Sequence, residues 1–165
     1  MATNGKTLVG IVGVTSAALL YCIVPRFEGL VNHGYLDAGG IPTKCMGDTH
    51  DVIVGRTYSS AECSASLEAQ LIAHAEPVLR ITPQLRGHPN QLAAAVSFAY
   101  NIGIGQYGAS ETARRFRMQD WKGACKAMNE SDDGRPQWVS ANGVVLPGLV
   151  KRRAEERRLC EVGLN

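Results

Sequence analysis

Residues 7–24 read TLVGIVGVTSAALLYCIV and carry no charge. Lys6 precedes this run, and Pro25 and Arg26 follow it. As one helix the run is about 27 Å long, enough to cross the apolar core of a bilayer. A core helix of a soluble domain rarely runs so far without a polar face. The pattern predicts a membrane helix, with a buried soluble helix as the lesser alternative. A cleaved leader needs small residues before its cleavage site, and Ile23-Val24-Pro25-Arg26 offers none. Cleavage after Ser16-Ala17-Ala18 would cut the apolar run too early. A lipid-modified Cys22 would follow a small residue, and Tyr21 stands there. What remains is an uncleaved signal anchor, with Lys6 favouring a cytoplasmic amino end and the rest of the chain in the periplasm. Thr7, Gly10, Gly13, Thr15, Ser16, Ala17 and Ala18 dilute its hydrophobicity. Small residues serve helix contacts in membranes, but they also make insertion weak enough for the helix to leave the bilayer.

From Arg26 onward the chain reads as one compact domain, long enough to bury a core of its own. A formal net charge of +2 gives no electrostatic case for nucleic acid as a partner. Residues 29–57 are rich in Gly and β-branched residues, with turn signals at Gly39-Gly40 and Gly47-Asp48, and predict short strands and loops. Ser59-Ser60-Ala61-Glu62 is a capping box that opens a helix of roughly sixteen residues with Leu67, Leu71 and Ile72 on its apolar face. A second helix follows Pro89 and runs to Asn101-Ile102-Gly103. Shorter helices are expected near 109–118 and 119–129, and Pro147-Gly148 introduces a last one to about Cys160. Most of its cations, Lys151, Arg152, Arg153, Arg157 and Arg158, read as a solvated face paired with Glu155 and Glu156. The fold class is α+β: a small N-terminal β region, then a mainly helical lobe, preceded by the N-terminal membrane helix. The division is 1–25 for the anchor and 26–165 for the soluble domain.

Cys22, Cys45, Cys63, Cys125 and Cys160 form no metal-type spacing, and His33, His50, His74 and His88 do not cluster with them. No metal and no cofactor is expected. An odd count without a metal pattern suggests two disulfides and one spare thiol. Five free thiols in a cytosolic protein would satisfy the same count. The N-terminal run favours the oxidising compartment, where disulfides persist.

Just after the anchor come Glu28, Asp37 and Thr43. Two carboxylates and a hydroxyl on a Gly-rich β region suit glycoside hydrolysis: a carboxylic acid protonates the leaving oxygen, while a carboxylate opposite activates water or stabilises the cationic transition state. Phe27 and Leu30 are candidates to line the cleft and keep Glu28 neutral. On spacing alone, ordinary surface residues explain the three equally well. Their neighbours are more specific. Glu28-Gly29, Tyr35-Leu36-Asp37, Gly40 and Thr43 resemble the signature of the phage lysozymes of glycoside hydrolase family 24, in which eight residues separate Glu from Asp and five separate Asp from Thr. Phe98-Ala99-Tyr100-Asn101-Ile102-Gly103-Ile104-Gly105 resembles the helix end lining that family's cleft. Leu146-Pro147-Gly148-Leu149-Val150-Lys151-Arg152-Arg153, with Glu156 and Cys160, resembles its final helix. The weak anchor is most similar to the family's signal-anchor-release endolysins.

The resemblance implies a lysozyme-like fold and a muramidase that cuts peptidoglycan glycan strands, lyses the host and releases phage. Glu28 would be the general acid, Asp37 the base or electrostatic partner, and Thr43 the residue that positions water. Asn101 would contact sugar or cap its helix. The family's Gly-His-Thr is replaced by Gly47-Asp48-Thr49-His50, which leaves His50 without an assigned role, and Ile41-Pro42 depart from the usual hairpin residues. Disulfides Cys45–Cys63 and Cys125–Cys160 fit the resemblance and leave Cys22 over as a possible regulatory thiol. In some relatives an anchor thiol uncages a catalytic cysteine; here Asp37 occupies that position, which favours simple release over thiol control. With only Pro25 to Phe27 between anchor and Glu28, the membrane-held form is expected to be inactive. The expected partners are glycan strands and, through residues 7–24, the host inner membrane. The catalytic part faces the periplasm and is released there as a monomer on loss of the membrane potential. A lytic transglycosylase, which does not need Asp37, and a non-catalytic wall-binding protein are the competing readings.

Overall fold

The computed structural model describes residues 5–165. In it the uncharged N-terminal run is two helices. Thr7 Oγ1 accepts the Gly10 N–H at 3.1 Å and opens α1, Leu8–Val12. Gly13, at φ 83° and ψ 164°, ends it, and α2 follows as Val14–Glu28. That backbone conformation is essentially open to glycine alone, so Gly13 makes the break possible. Among the described residues no helix is long and apolar enough to cross a membrane. The expected continuous membrane helix is therefore not what this structure contains. Leu8, Leu20 and Val24 are wholly buried, with Ala17 and Ile23 nearly so. α1 packs on α3 and α2 packs on α4. Protein side chains cover the apolar stripe of these two helices.

Gly29, at φ 69°, caps α2, and the chain enters an antiparallel hairpin of β1, Val31–Leu36, and β2, Pro42–Cys45. Tyr35 pairs with Thr43, and Leu36 with Pro42. A bulge follows, so that Val31 comes opposite Cys45. Gly34 is required by crowding: a Cβ there would lie 2.1 Å from the Ile53 carbonyl oxygen. The capping box at Ser59 and Glu62 forms in both directions and starts α3, Ser60–Ile81. The helix runs past the sixteen residues expected from its pattern and carries Pro77 within it.

α4, Pro89–Ile102, is the central helix, with every residue from Gln91 to Ala99 buried. α5 (Ile104–Ala109), α6 (Glu111–Arg117) and α7 (Trp121–Lys126) wrap one side of it. α6, at 7 residues, and α7, at 6, are clearly shorter than the expected spans 109–118 and 119–129. A small hairpin of β3 (Ser140–Ala141) and β4 (Val144–Val145) leads into α8, Pro147–Glu161, which packs on α4. The whole is a mainly helical lobe with two small antiparallel sheets.

α8 departs from its sequence reading. Arg153 and Glu156 are wholly buried, and Arg152 nearly so. With Cys160 they fall at three- and four-residue spacing on one helix face, the face that meets α4. The helix has few apolar residues to offer there, so paired charges fill the core instead of a solvated surface. Only Arg157, which contacts Glu130 and Glu161, behaves as a surface cation in a pair. Cys45 is bonded to Cys63 and Cys125 to Cys160, with Cα separations of 5.2 and 5.5 Å. Cys22 is free and exposed.

Candidate active site

Glu28 is the last residue of α2. Its side chain is one-fifth exposed and opens on a cleft of about 640 Å³. Phe27, Asn101, Leu146, Lys151 and Arg152 line the same cleft. Phe27 is there as expected, but Leu30 is not: it is 57% exposed, since Gly29 turns the chain outward immediately after α2. Glu28 is met by a cation instead. Arg152 Nη1 donates to Glu28 Oε1 at 2.6 Å. The same guanidinium donates through Nε to Glu156 Oε1 at 3.0 Å and through Nη2 to the Ser97 carbonyl at 3.2 Å. It stacks over the Phe27 ring at 4.9 Å.

Behind this pair the polar network continues into the core. Ser97 Oγ donates to Glu156 Oε1 at 2.7 Å. Arg153 Nε is 2.9 Å from Glu156 Oε2. Arg153 Nη2 donates to Asn101 Oδ1 at 3.0 Å, and its guanidinium lies over Phe98. Burial pushes the Glu156 carboxyl up, against the pull of Arg153 and Arg152. Burial also brings Arg153 down to about 10, with Glu156 opposing the shift. Asn101 therefore shares the cleft with Glu28, while its carbonyl oxygen is engaged by Arg153.

Asp37 and Thr43 lie on the β1–β2 hairpin. Asp37 Oδ1 accepts the Gly39 and Ile41 N–H groups at 2.8 and 2.9 Å, which holds the carboxylate at the mouth of the turn. Thr43 is buried, and its hydroxyl donates to the Ile41 carbonyl at 2.9 Å. The hairpin approaches Glu28 through its far end: a Cβ on Gly47 would lie 3.4 Å from Glu28 Oε2. That end is tied down twice. The Tyr100 hydroxyl is 3.1 Å from the Met46 carbonyl and 3.0 Å from Gln70 Oε1. Burial pushes its phenol well up, and the charge of Glu28 adds to the shift. The Asp48 carboxylate, also buried, accepts from the Ser66 hydroxyl and from the His50 N–H. The His50 ring is 85% exposed, outside the site.

The structure thus brings Glu28 and Asn101 to one cleft and puts Asp37 and Thr43 on the adjoining hairpin. Sequence reasoning missed Arg152, Arg153, Glu156, Ser97, Tyr100 and Asp48. Two signals pointed to some of them: Tyr100, Arg152, Arg153 and Glu156 lie in the segments that resemble the family, and the spacing of Arg152, Glu156 and Cys160 marks a single helix face. Among the described residues no group of three or more His, Cys, Asp or Glu side chains is arranged to hold a metal.

The phage lysozyme family model matches residues 25–156, from the last turn of α2 almost to the end of α8. The chain belongs to the phage lysozyme family. A SAR-endolysin (the signal-anchor-release class) of Bacteriophage PS119 is 35% identical over 136 residues, which cover 81% of this chain and 75% of that relative. The muramidase domain of SpmX from Asticaccaulis excentricus has a TM-score of 0.74 at 30% identity, covering 89% of this chain and 97% of that one. The active form of the P1 phage endolysin Lyz has a TM-score of 0.79 at 23% identity, covering 92% of this chain and 88% of that one. The secreted inactive form of the same endolysin scores 0.57 at 19% identity, covering 93% and 97%. By that score the fold of this chain is nearer to the first of these two structures.

Proposed function

We propose that the protein is a signal-anchor-release endolysin: a lysozyme that hydrolyses the β-1,4 bond between N-acetylmuramic acid and N-acetylglucosamine in peptidoglycan, lysing the host and releasing phage. The observation that carries this reading is Glu28 at the end of α2, opening on a cleft within the family match. Glu28 delivers its proton to the glycosidic oxygen as the bond from that oxygen to the anomeric carbon breaks. Asp37, held by two backbone N–H groups, activates the water or stabilises the oxocarbenium-like transition state. Thr43 positions that water, and Asn101 contacts the sugar through the part of its amide that Arg153 does not use.

In this reading residues 1–25 are the releasable anchor and 26–165 carry the catalytic machinery. Residues 7–24 sit in the host inner membrane before activation, with the catalytic part in the periplasm. On release the anchor refolds as α1 and α2 and completes the monomer. The nearer likeness to an active arrangement supports this assignment of states. Cys22, exposed and unbonded, is not needed to release Asp37.

Two substitutions in the released protein test the chemistry by turbidity of cell walls and analysis of the products. Glu28→Gln is expected to lose about 10²–10⁴-fold in rate, the span of a general acid. Asp37→Asn is expected to lose a comparable factor. An active Asp37→Asn protein whose products carry anhydro-muramyl ends would instead identify a lytic transglycosylase. A folded wild type that clears no cell walls would identify a binding protein.

A further inference from the structure

Arg152 is shared. One nearly buried guanidinium faces two carboxylates, Glu28 through Nη1 and Glu156 through Nε. Glu156 is in turn shared with Arg153 and held by Ser97. The mechanism above uses Glu28 and has no place for Glu156, a wholly buried acid one residue beyond the reaction site. A general acid must carry its proton before it reacts. A carboxyl that faces a guanidinium alone gives that proton up readily, and a buried guanidinium left without a counter-charge is strongly unfavourable. With Glu28 ionised, two guanidiniums face two carboxylates. With Glu28 protonated, Glu156 still faces both cations.

We propose that Glu156 is a positioning residue and a standing counter-charge behind Arg152, which lets Glu28 take up its proton without leaving the Arg152 guanidinium unpaired. The proposal rests on the reading of Glu28 as the proton donor. Other charged and titratable groups also face the pair. On the Glu28 side these are Tyr100 from α4, itself within the field of Asp48, and Arg26, Lys151 and Glu155 along the cleft. On the Glu156 side they are Arg152 and Arg153 of its own helix and the Ser97 hydroxyl of α4, with Asn101 beyond Arg153. Each is the same in every variant below except the one changed.

The test is the titration midpoint of the Glu28 carboxyl, read by carbon-13 NMR on the full-length released protein beside the pH profile of kcat/KM on glycan strands. Glu156→Gln is expected to move the midpoint and the alkaline limb of the profile to lower pH, by about one unit for one lost neighbouring charge. Ser97→Ala, which weakens the charged form of Glu156 without removing it, shifts both in the same direction by less. Glu156→Asp, which keeps the charge, leaves both nearer their wild-type values. A downward shift with Gln that Asp reverses is what a merely structural role would not produce. If Glu156→Gln does not fold, Ser97→Ala decides by the sign of its shift. A Glu28 midpoint unmoved in folded Glu156→Gln or Ser97→Ala protein, whatever happens to its activity, overturns the proposal. An active Glu28→Gln protein overturns the reading of the acid itself, so the two failures are distinct.

Discussion

Asp48 sits where the family has a histidine, and its surroundings show what the replacement does. Burial pushes its carboxyl up, but the Ser66 hydroxyl, the His50 N–H and ring, and Lys44 more than offset this and leave it below the usual carboxylate range. A group with a depressed folded pKa contributes stability above its unfolded pKa and loses it as pH falls through the folded value. Asp48→Asn is therefore expected to cost about 1.5–3 kcal/mol near pH 7, the range for hydrogen bonds to a charged group. The difference from wild type should shrink as the pH drops below the carboxylate range. Urea unfolding at pH 7 and at pH 3 measures both; an equal gap at the two values would show that the charge is irrelevant. At this scale the sequence singles out residues where chemistry and motif coincide. Glu28, Asp37 and Thr43 stand at fixed spacing among distinctive neighbours. Arg152 and Glu156 were not legible, because charges on a helix are ordinarily solvated and only the tertiary contact with Ser97 and Glu28 puts these inside.

Among the elements, α1 and α2 carry the largest difference between sequence and structure. Helix as the type of structure was readable from the uncharged run. What covers its apolar face was not, because hydropathy does not distinguish lipid from protein. If the proposed anchored state exists, Gly13 is the residue on which it differs from this structure: a membrane-spanning helix needs it in ordinary helical geometry, whereas here it is at φ 83° and ψ 164°. Gly13→Ala strains the folded form by about 1–3 kcal/mol. It also favours a continuous helix by roughly 0.5–1 kcal/mol. Both effects act in the same direction, toward the membrane. At least a tenfold shift from soluble to membrane-bound protein is expected when the membrane potential is collapsed, measured by fractionating cells and accompanied by delayed lysis. Equal partition and equal lysis times would mean that Gly13 does not separate the two states. The β1–β2 hairpin was easier to read than these helices, since Gly39-Gly40 and its β-branched flanks are local signals. The β3–β4 hairpin, two residues per strand, was too short to leave a pattern.

For the molecule as a whole, the two N-terminal helices and the helical lobe share one core. Leu8, Val12, Leu20, Ile23 and Val24 belong to the same buried cluster as Leu71, Val96, Phe98 and Phe116. Burying each large apolar side chain is worth roughly 1.5–3 kcal/mol, so these five together supply on the order of 7–15 kcal/mol, an upper bound because unfolded chains are partly compact. That matches the entire net stability of a typical domain, about 5–15 kcal/mol. A protein reduced to residues 26–165 would also strip away the helical turns that fix the backbone of Glu28. It would uncover the face of α4 against which α2 packs. Such a protein is expected to lack a cooperative thermal transition and near-ultraviolet circular dichroism, and to leave cell walls intact, even with both disulfides formed. A residue 26–165 protein that melts cooperatively and clears cell walls would show that the anchor only tethers the enzyme. If the expectation holds, the proposed release would both free the enzyme and deliver the last part of its core, and residues 7–24 held in lipid would keep the active site from being assembled at all.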